Sequence, residues 1–131
     1  MLVDANVFLR LFLDDDRKKA SRCAALLAKA AKGEQSLFVT DMCVAEIVWT
    51  LTSFYELPRD QVADHLEAIL NLHGLMFSDY RVLLDTLLRY RSSNADFTDC
   101  YHCAVARRRK VAICSYDRDF DSFSDIERLE P

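Results

Sequence analysis

The sequence predicts an α/β domain: a short, mostly parallel sheet of four to five strands, flanked by helices in three α/β/α layers. Three observations predict it. Short apolar, β-prone runs alternate with amphipathic helical stretches. Gly and Pro number only 2 each, too few for a many-turned β sandwich. Several of the short runs also end abruptly on a polar residue, as strands do when their carboxyl ends open into a crevice. With 131 residues, 51% of them hydrophobic, the chain suits a single domain over 1–131 with one core.

The elements follow in order. Met1-Leu2-Val3 is an apolar run that stops on Asp4, and reads as a first buried strand. Val7 to Leu13 reads as a short helix with Asn6 as its N-cap. Asp14-Asp15-Asp16 followed by Arg17-Lys18-Lys19 is a polar break. A helix from Arg17 to Ala31 carries Ala20, Cys23, Ala24, Leu27 and Ala28 three and four apart, and Gly33 ends it. Leu37-Phe38-Val39 is a second strand, closing on Thr40 and Asp41. Met42 to Tyr55 is a helix apolar nearly all round, with Glu46 in its second turn. Pro58 breaks the chain, and Arg59 to Leu72 is amphipathic through Val62, Leu66, Ile69 and Leu70. Leu75-Met76-Phe77 is a third strand. Tyr80 to Tyr90 is a helix with Leu83, Leu84, Leu87 and Leu88 at helical spacing. Asp96 opens a helix to Arg109 with Phe97, Tyr101, Ala104 and Val105 inward. Val111 to Cys114 is a fourth strand ending on Ser115-Tyr116-Asp117-Arg118-Asp119, and Ile126 to Leu129 reads as a short fifth edge strand.

Composition excludes several classes. No apolar run approaches ~18 residues, so no membrane span is expected, and Asp4 and Arg10 interrupt any secretory signal. The 5 Cys show no paired pattern, which fits reduced thiols in a cytoplasm. Cys100 and Cys103 form C-x-x-C inside a helix, where a packed pair is expected rather than a redox motif. His65, His73 and His102 lack metal-ligand spacing. The net charge of −4 leaves a nucleic-acid partner open, because acids neutralised by divalent cations would attract phosphate.

The acids carry the chemistry. Asp4 ends the first strand, Glu46 follows the second, Asp96 and Asp99 open a helix, and Asp117 and Asp119 follow the fourth strand. If these meet at one sheet edge, they repel by roughly 4 kcal/mol per pair at 4 Å and an effective dielectric of 20. Hard divalent cations with oxygen ligands offset that cost. Mg²⁺ or Mn²⁺ so held can activate water and stabilise the leaving oxygen in phosphodiester cleavage, with Asn6 and Ser115 orienting a ligand or the water. Plainer readings stand beside this one. Asp4 can end a strand at solvent. Glu46, among apolar neighbours, can sit in a structural salt bridge. Asp96 can cap its helix as readily as bind metal. Asp119 can be a turn acid. Arg107-Arg108-Arg109-Lys110 complements a helix C-terminus, and Arg10, Arg17, Lys18 and Lys19 are candidates to meet a phosphate. A haloacid-dehalogenase-like phosphohydrolase would want D-x-D where the chain has Asp4-Ala5-Asn6. A binding module without catalysis is the other alternative.

Four segments together resemble the PIN-domain ribonucleases, and most closely the VapC-type toxins of toxin–antitoxin pairs. They are V-D-A-N-V-F-L at 3–9, T-D-x-x-x-A-E at 40–46, A-D-F-T-D-C at 95–100 and S-Y-D-R-D-F at 115–120. The resemblance covers essentially the whole chain. It implies a PIN-like fold, with Asp4, Glu46, Asp99 and Asp117 as catalytic, metal-binding acids and Asp96 as an auxiliary one. Asn6, Thr40, Ser115 and Asp119 become supporting residues, Ser115 standing where the family usually has Thr. It further implies Mg²⁺- or Mn²⁺-dependent endonucleolytic cleavage of RNA, a homodimer, and inhibition by an antitoxin whose tail enters the active-site groove. The apolar helices around Trp49 and Leu66 offer a face for the second copy.

Overall fold

The computed structural model describes every residue except Asp14, so the first acid of the expected polar break lies outside the described residues. The chain divides into two compact units, Met1–Tyr80 and Arg81–Pro131.

In the first unit, α1 (Ala5–Leu13) starts two residues earlier than the sequence suggested. The residue at its threshold is Asp4, whose carboxylate accepts from the Asn6 backbone N–H, so Asp4 fills the capping role expected of Asn6. The early start shortens the first strand. Leu2 makes a single parallel bridge with Phe38, flanked by Val3 N–H to the Phe38 carbonyl at 2.9 Å and Phe38 N–H to the Met1 carbonyl at 2.8 Å. α2 spans Arg17–Ala31 as the spacing predicts, capped by Asp16, with Gly33 at φ +76° just beyond it.

β1 (Leu37–Val39) pairs in parallel with β2 (Leu75–Phe77), Phe38 opposite Met76. Phe38 therefore has a strand partner on either side, Leu2 and Met76, and β1 is the central run of the three. Gly74 at φ +84° leads into β2, where a Cβ would overlap the Ala30 carbonyl at the end of α2. α3 (Asp41–Trp49) begins where the Thr40 hydroxyl accepts from Cys43 N–H, then widens into a π turn over Thr50–Phe54. α4 (Arg59–Leu70) buries Val62, Ala63, Leu66, Ile69 and Leu70. Leu66 is thus core, not part of a face open to a second copy.

In the second unit, α5 (Tyr80–Ser92) buries Leu83 and Leu87, while Leu84 and Leu88 stay exposed, because only one stripe of the helix faces the core. The buried surprise is Arg89. Its guanidinium donates to Asp125 at 2.9 Å, pairs with Asp85 at 3.2 Å and lies 5.2 Å from the Phe123 ring centre. α6 (Phe97–Arg109) buries Cys100 and Cys103, the packed pair that the helical C-x-x-C suggested. Lys110 ends it in the left-handed conformation at φ +58°. β3 (Ile113–Cys114) pairs in parallel with β4 (Arg128–Leu129), within the stretch expected to form an edge strand.

All strand pairs are parallel and alternate with helices, as an α/β fold requires. The sheet is smaller than the expected four to five strands. Two-stranded pieces and one bridge replace it, because the runs hold only two or three residues before a cap or turn intervenes. Among the described residues, no helix is long and apolar enough to cross a membrane.

Candidate active site

The first unit presents two carboxylates in one cavity. The Asp4 side chain accepts from the Asn6 backbone N–H at 3.2 Å and from the Asn6 amide at 2.8 Å. Asn6 thus orients this acid, one of the roles expected of it. Glu46 projects from the second turn of α3 and is exposed, so it needs no compensating salt bridge. Its apolar neighbours Ile47 and Val48 turn to the core instead. A cavity of about 300 Å³ is lined by the polar Asp4, Thr40 and Glu46 and by the apolar Leu2, Met42, Cys43 and Trp49. Burial, then the charges of Asp4 and Glu46, push the Cys43 thiol up to about 11. Both acids therefore act on this thiol, which stays protonated and inert at neutral pH.

The second unit gathers three carboxylates. One oxygen each from Asp99, Asp117 and Asp119 lies within 4.8 Å of the others. Asp99 sits in the first turn of α6, where the dipole favours an anion. Asp117 opens the 3₁₀ turn Arg118–Ser122 and accepts from Asp119 N–H at 2.9 Å. The Ser115 hydroxyl accepts from Asp117 N–H at 3.0 Å, and Arg128 donates to the Ser115 carbonyl at 2.9 Å while clasping Asp121. Burial first, then the charges of Asp117 and Asp96, raise the pKa of Asp99; His102 opposes them and Asp119 adds to them. A charge set this unfavourable, made of oxygen donors alone, fits a hard divalent cation.

The structure thus brings Asp4 together with Glu46, Thr40 and Asn6, and Asp99 together with Asp117, Asp119 and Ser115. Asp119 belongs to the cluster, beyond the turn role weighed for it. Asp96 stands at the cap position of α6, yet its side chain makes no capping bond and it lies outside the cluster. Arg10 pairs with Asp15 at 2.7 Å and Lys19 with Asp16 at 3.4 Å, so two of the four basic heads named as candidates to meet phosphate have acid partners. Burial sets the Cys103 thiol at about 11, which removes thiol chemistry there as well. Sequence reasoning missed Trp49 as a cavity wall and Arg128 as a brace. The spacing of Trp49 three residues after Glu46 was a usable signal; Arg128 carried none.

A comparison with curated proteins returned no match. The PIN domain family model matches residues 1–126. Proteins of this family are generally nucleases that use a divalent metal, which accords with the oxygen-only cluster. The match takes in both acid sets and leaves out only residues 127–131, and the chain belongs to the PIN domain family.

Proposed function

We propose that the chain is a Mg²⁺- or Mn²⁺-dependent endoribonuclease, the toxin of a VapC-type toxin–antitoxin pair, acting in the cytoplasm. The observation that carries the reading is the Asp99–Asp117–Asp119 cluster in a member of a nuclease family. Asp99 and Asp117 are the metal ligands of this set, with Asp119 and Asp96 adding negative charge beside them. The resemblance of the segments at 3–9 and 40–46 assigns Asp4 and Glu46 to the same reaction. A divalent cation, when bound, supplies the positive charge that lowers the pKa of water and stabilises a leaving oxygen.

The chain's own groups do the positioning. Asn6 fixes the rotamer of Asp4 through two hydrogen bonds. Thr40 fixes the start of α3, and with it the turn that bears Glu46. Ser115, itself tied to Arg128, fixes the backbone of Asp117. In the hydrolysis, water oxygen bonds to phosphorus, the bond from phosphorus to the leaving oxygen breaks, and that oxygen takes up a proton. The reading implies two protein partners, a second copy of the chain and a cognate antitoxin.

Incubation of the purified chain with mixed RNA tests it, in Mg²⁺ or Mn²⁺ and beside EDTA, Asp4→Asn and Asp99→Asn controls. Discrete fragments are expected only with metal, and either substitution lowers the rate by at least about 100-fold. Cleavage that survives EDTA, or wild-type rates in a variant, overturns the metal reading or that acid's role. Binding without cleavage in either metal points to the silent binding module.

A further inference from the structure

We propose that Trp49 is the floor of a nucleobase subsite: one unpaired RNA base stacks on its indole in the cavity that also holds Asp4, Thr40 and Glu46. The inference rests on the ribonuclease reading and adds to it which chain element grips the substrate beside the acids.

Trp49 is only half-buried. It is 46% exposed, while Ile47, Val48 and Leu51 around it on the same helix are 2% exposed or less. With Leu2 and Met42 also exposed beside it, the ring is part of an apolar patch rather than a lone surface residue. Its place is informative. Trp49 and Glu46 are three residues apart on α3 and therefore neighbours on one helix face. Leu2 and Met42, both mostly exposed, extend the apolar wall, and Asp4, Glu46 and Thr40 line the same cavity with a polar one.

The ligand that uses both walls has a flat apolar face with polar edges and an anionic group that a cation can join to carboxylates. A nucleotide has that combination. Base–aromatic stacking is tolerant of base identity and needs an unpaired strand. An apolar side chain of a protein partner would use the ring and Met42, but would gain nothing from the two acids beside them.

The chain holds a single Trp, so its fluorescence reports on this ring alone. The first measurement titrates the whole chain with adenosine 5′-monophosphate in Mg²⁺, beside ribose 5-phosphate. The two share the phosphate and differ in the base, and neither has a phosphodiester to cleave. Saturable quenching by the nucleotide alone is expected; equal response to both, or none, overturns the subsite. This readout stands whether or not RNA is cleaved, so it separates failure of the subsite from failure of the nuclease reading. The second measurement compares Trp49→Leu and Trp49→Phe in RNA cleavage. Trp49→Leu is expected to raise KM about tenfold with kcat within about twofold, and Trp49→Phe to restore most of the KM. An unchanged KM in Trp49→Leu, together with sedimentation showing that a dimer has come apart, would make the ring a contact between copies and overturn the proposal.

Discussion

The two acid sets differ in how their halves of the chain hold them. In Met1–Tyr80, backbone and packing do the work. Asp4 and Glu46 follow a three-run parallel arrangement centred on β1, and Gly74 lets the backbone before β2 close on Ala30. The Arg10–Asp15 and Lys19–Asp16 ion pairs of this half are local and solvent-facing, a kind worth little. In Arg81–Pro131, charge does the work. Arg89 joins Asp85 and Asp125, and Arg128 joins Asp121 to the Ser115 carbonyl. Asp4 is oriented by the neutral donors of Asn6, while Asp99, Asp117 and Asp119 crowd one another. The difference teaches where each property resides: shape and an open aromatic wall in the first half, electrostatic demand for a cation in the second.

The largest effect should come from disturbing the backbone approach. Gly74→Ala places a methyl group against the Ala30 carbonyl and forces a positive φ on an L residue. A loss of about 2–3 kcal/mol is expected in denaturant unfolding. A neutral result would show that the turn before β2 can relax, and that the first half is held less by backbone fit than the comparison states.

Arg89→Met tests the other side. It keeps an apolar stem of similar length and removes the guanidinium that lies over Phe123 and bonds to Asp125 and Asp85. Those acids are partly solvated, so the expected loss is about 2 kcal/mol rather than the larger figure for a fully buried pair. The Arg89 bond holds the Asp125 carboxyl below its usual range, first by the hydrogen bond and then by charge. A carboxyl depressed on folding contributes stability above its unfolded pKa of about 3.9 and loses it as pH falls through the folded value. The gap between wild type and Arg89→Met should therefore narrow in acid; a gap independent of pH would mean that lost packing, not charge, causes it.

What the sequence showed and hid follows the same division. α2 was legible to the residue because its apolar spacing and Gly33 are local signals, while its Asp16 cap, read only as part of a polar break, emerged from the structure. β1 and β2 were legible because each short apolar run stands between polar breaks. The start of α1 was misread by two residues because Asp4 and Asn6 are both good caps, and only the observed bond chooses between them. Glu46 seemed encased because its neighbours in sequence are apolar, but helical geometry turns those to the core and leaves the acid outside. Arg89 was invisible, since its partner Asp125 lies 36 residues away. The triad was half visible: Asp99 and Asp117 carried a family pattern, whereas the place of Asp119 depends on the 3₁₀ turn that follows Asp117.

The smallest effect is the most diagnostic of the crowded set. Asp99 has its carboxyl raised by burial and by its acidic neighbours, chiefly Asp117 and Asp96. A carboxyl raised on folding weakens the fold while ionised; the penalty is full above the folded pKa, shrinks as pH falls through it and is gone below the unfolded value. Asp99→Asn should therefore melt slightly above wild type at pH 7 in EDTA, and the two should converge as the pH approaches 4. Divalent ions reverse the order. An ion at ten times its Kd adds about 1.4 kcal/mol to a protein that binds it only when folded, and Asp99→Asn should gain little of this. Thermal melts with and without Mn²⁺ then give two curves that cross. If wild type is the more stable in EDTA as well, the three carboxylates are satisfied without an ion, and the contrast between a positioned pair and a crowded triad fails at its electrostatic half.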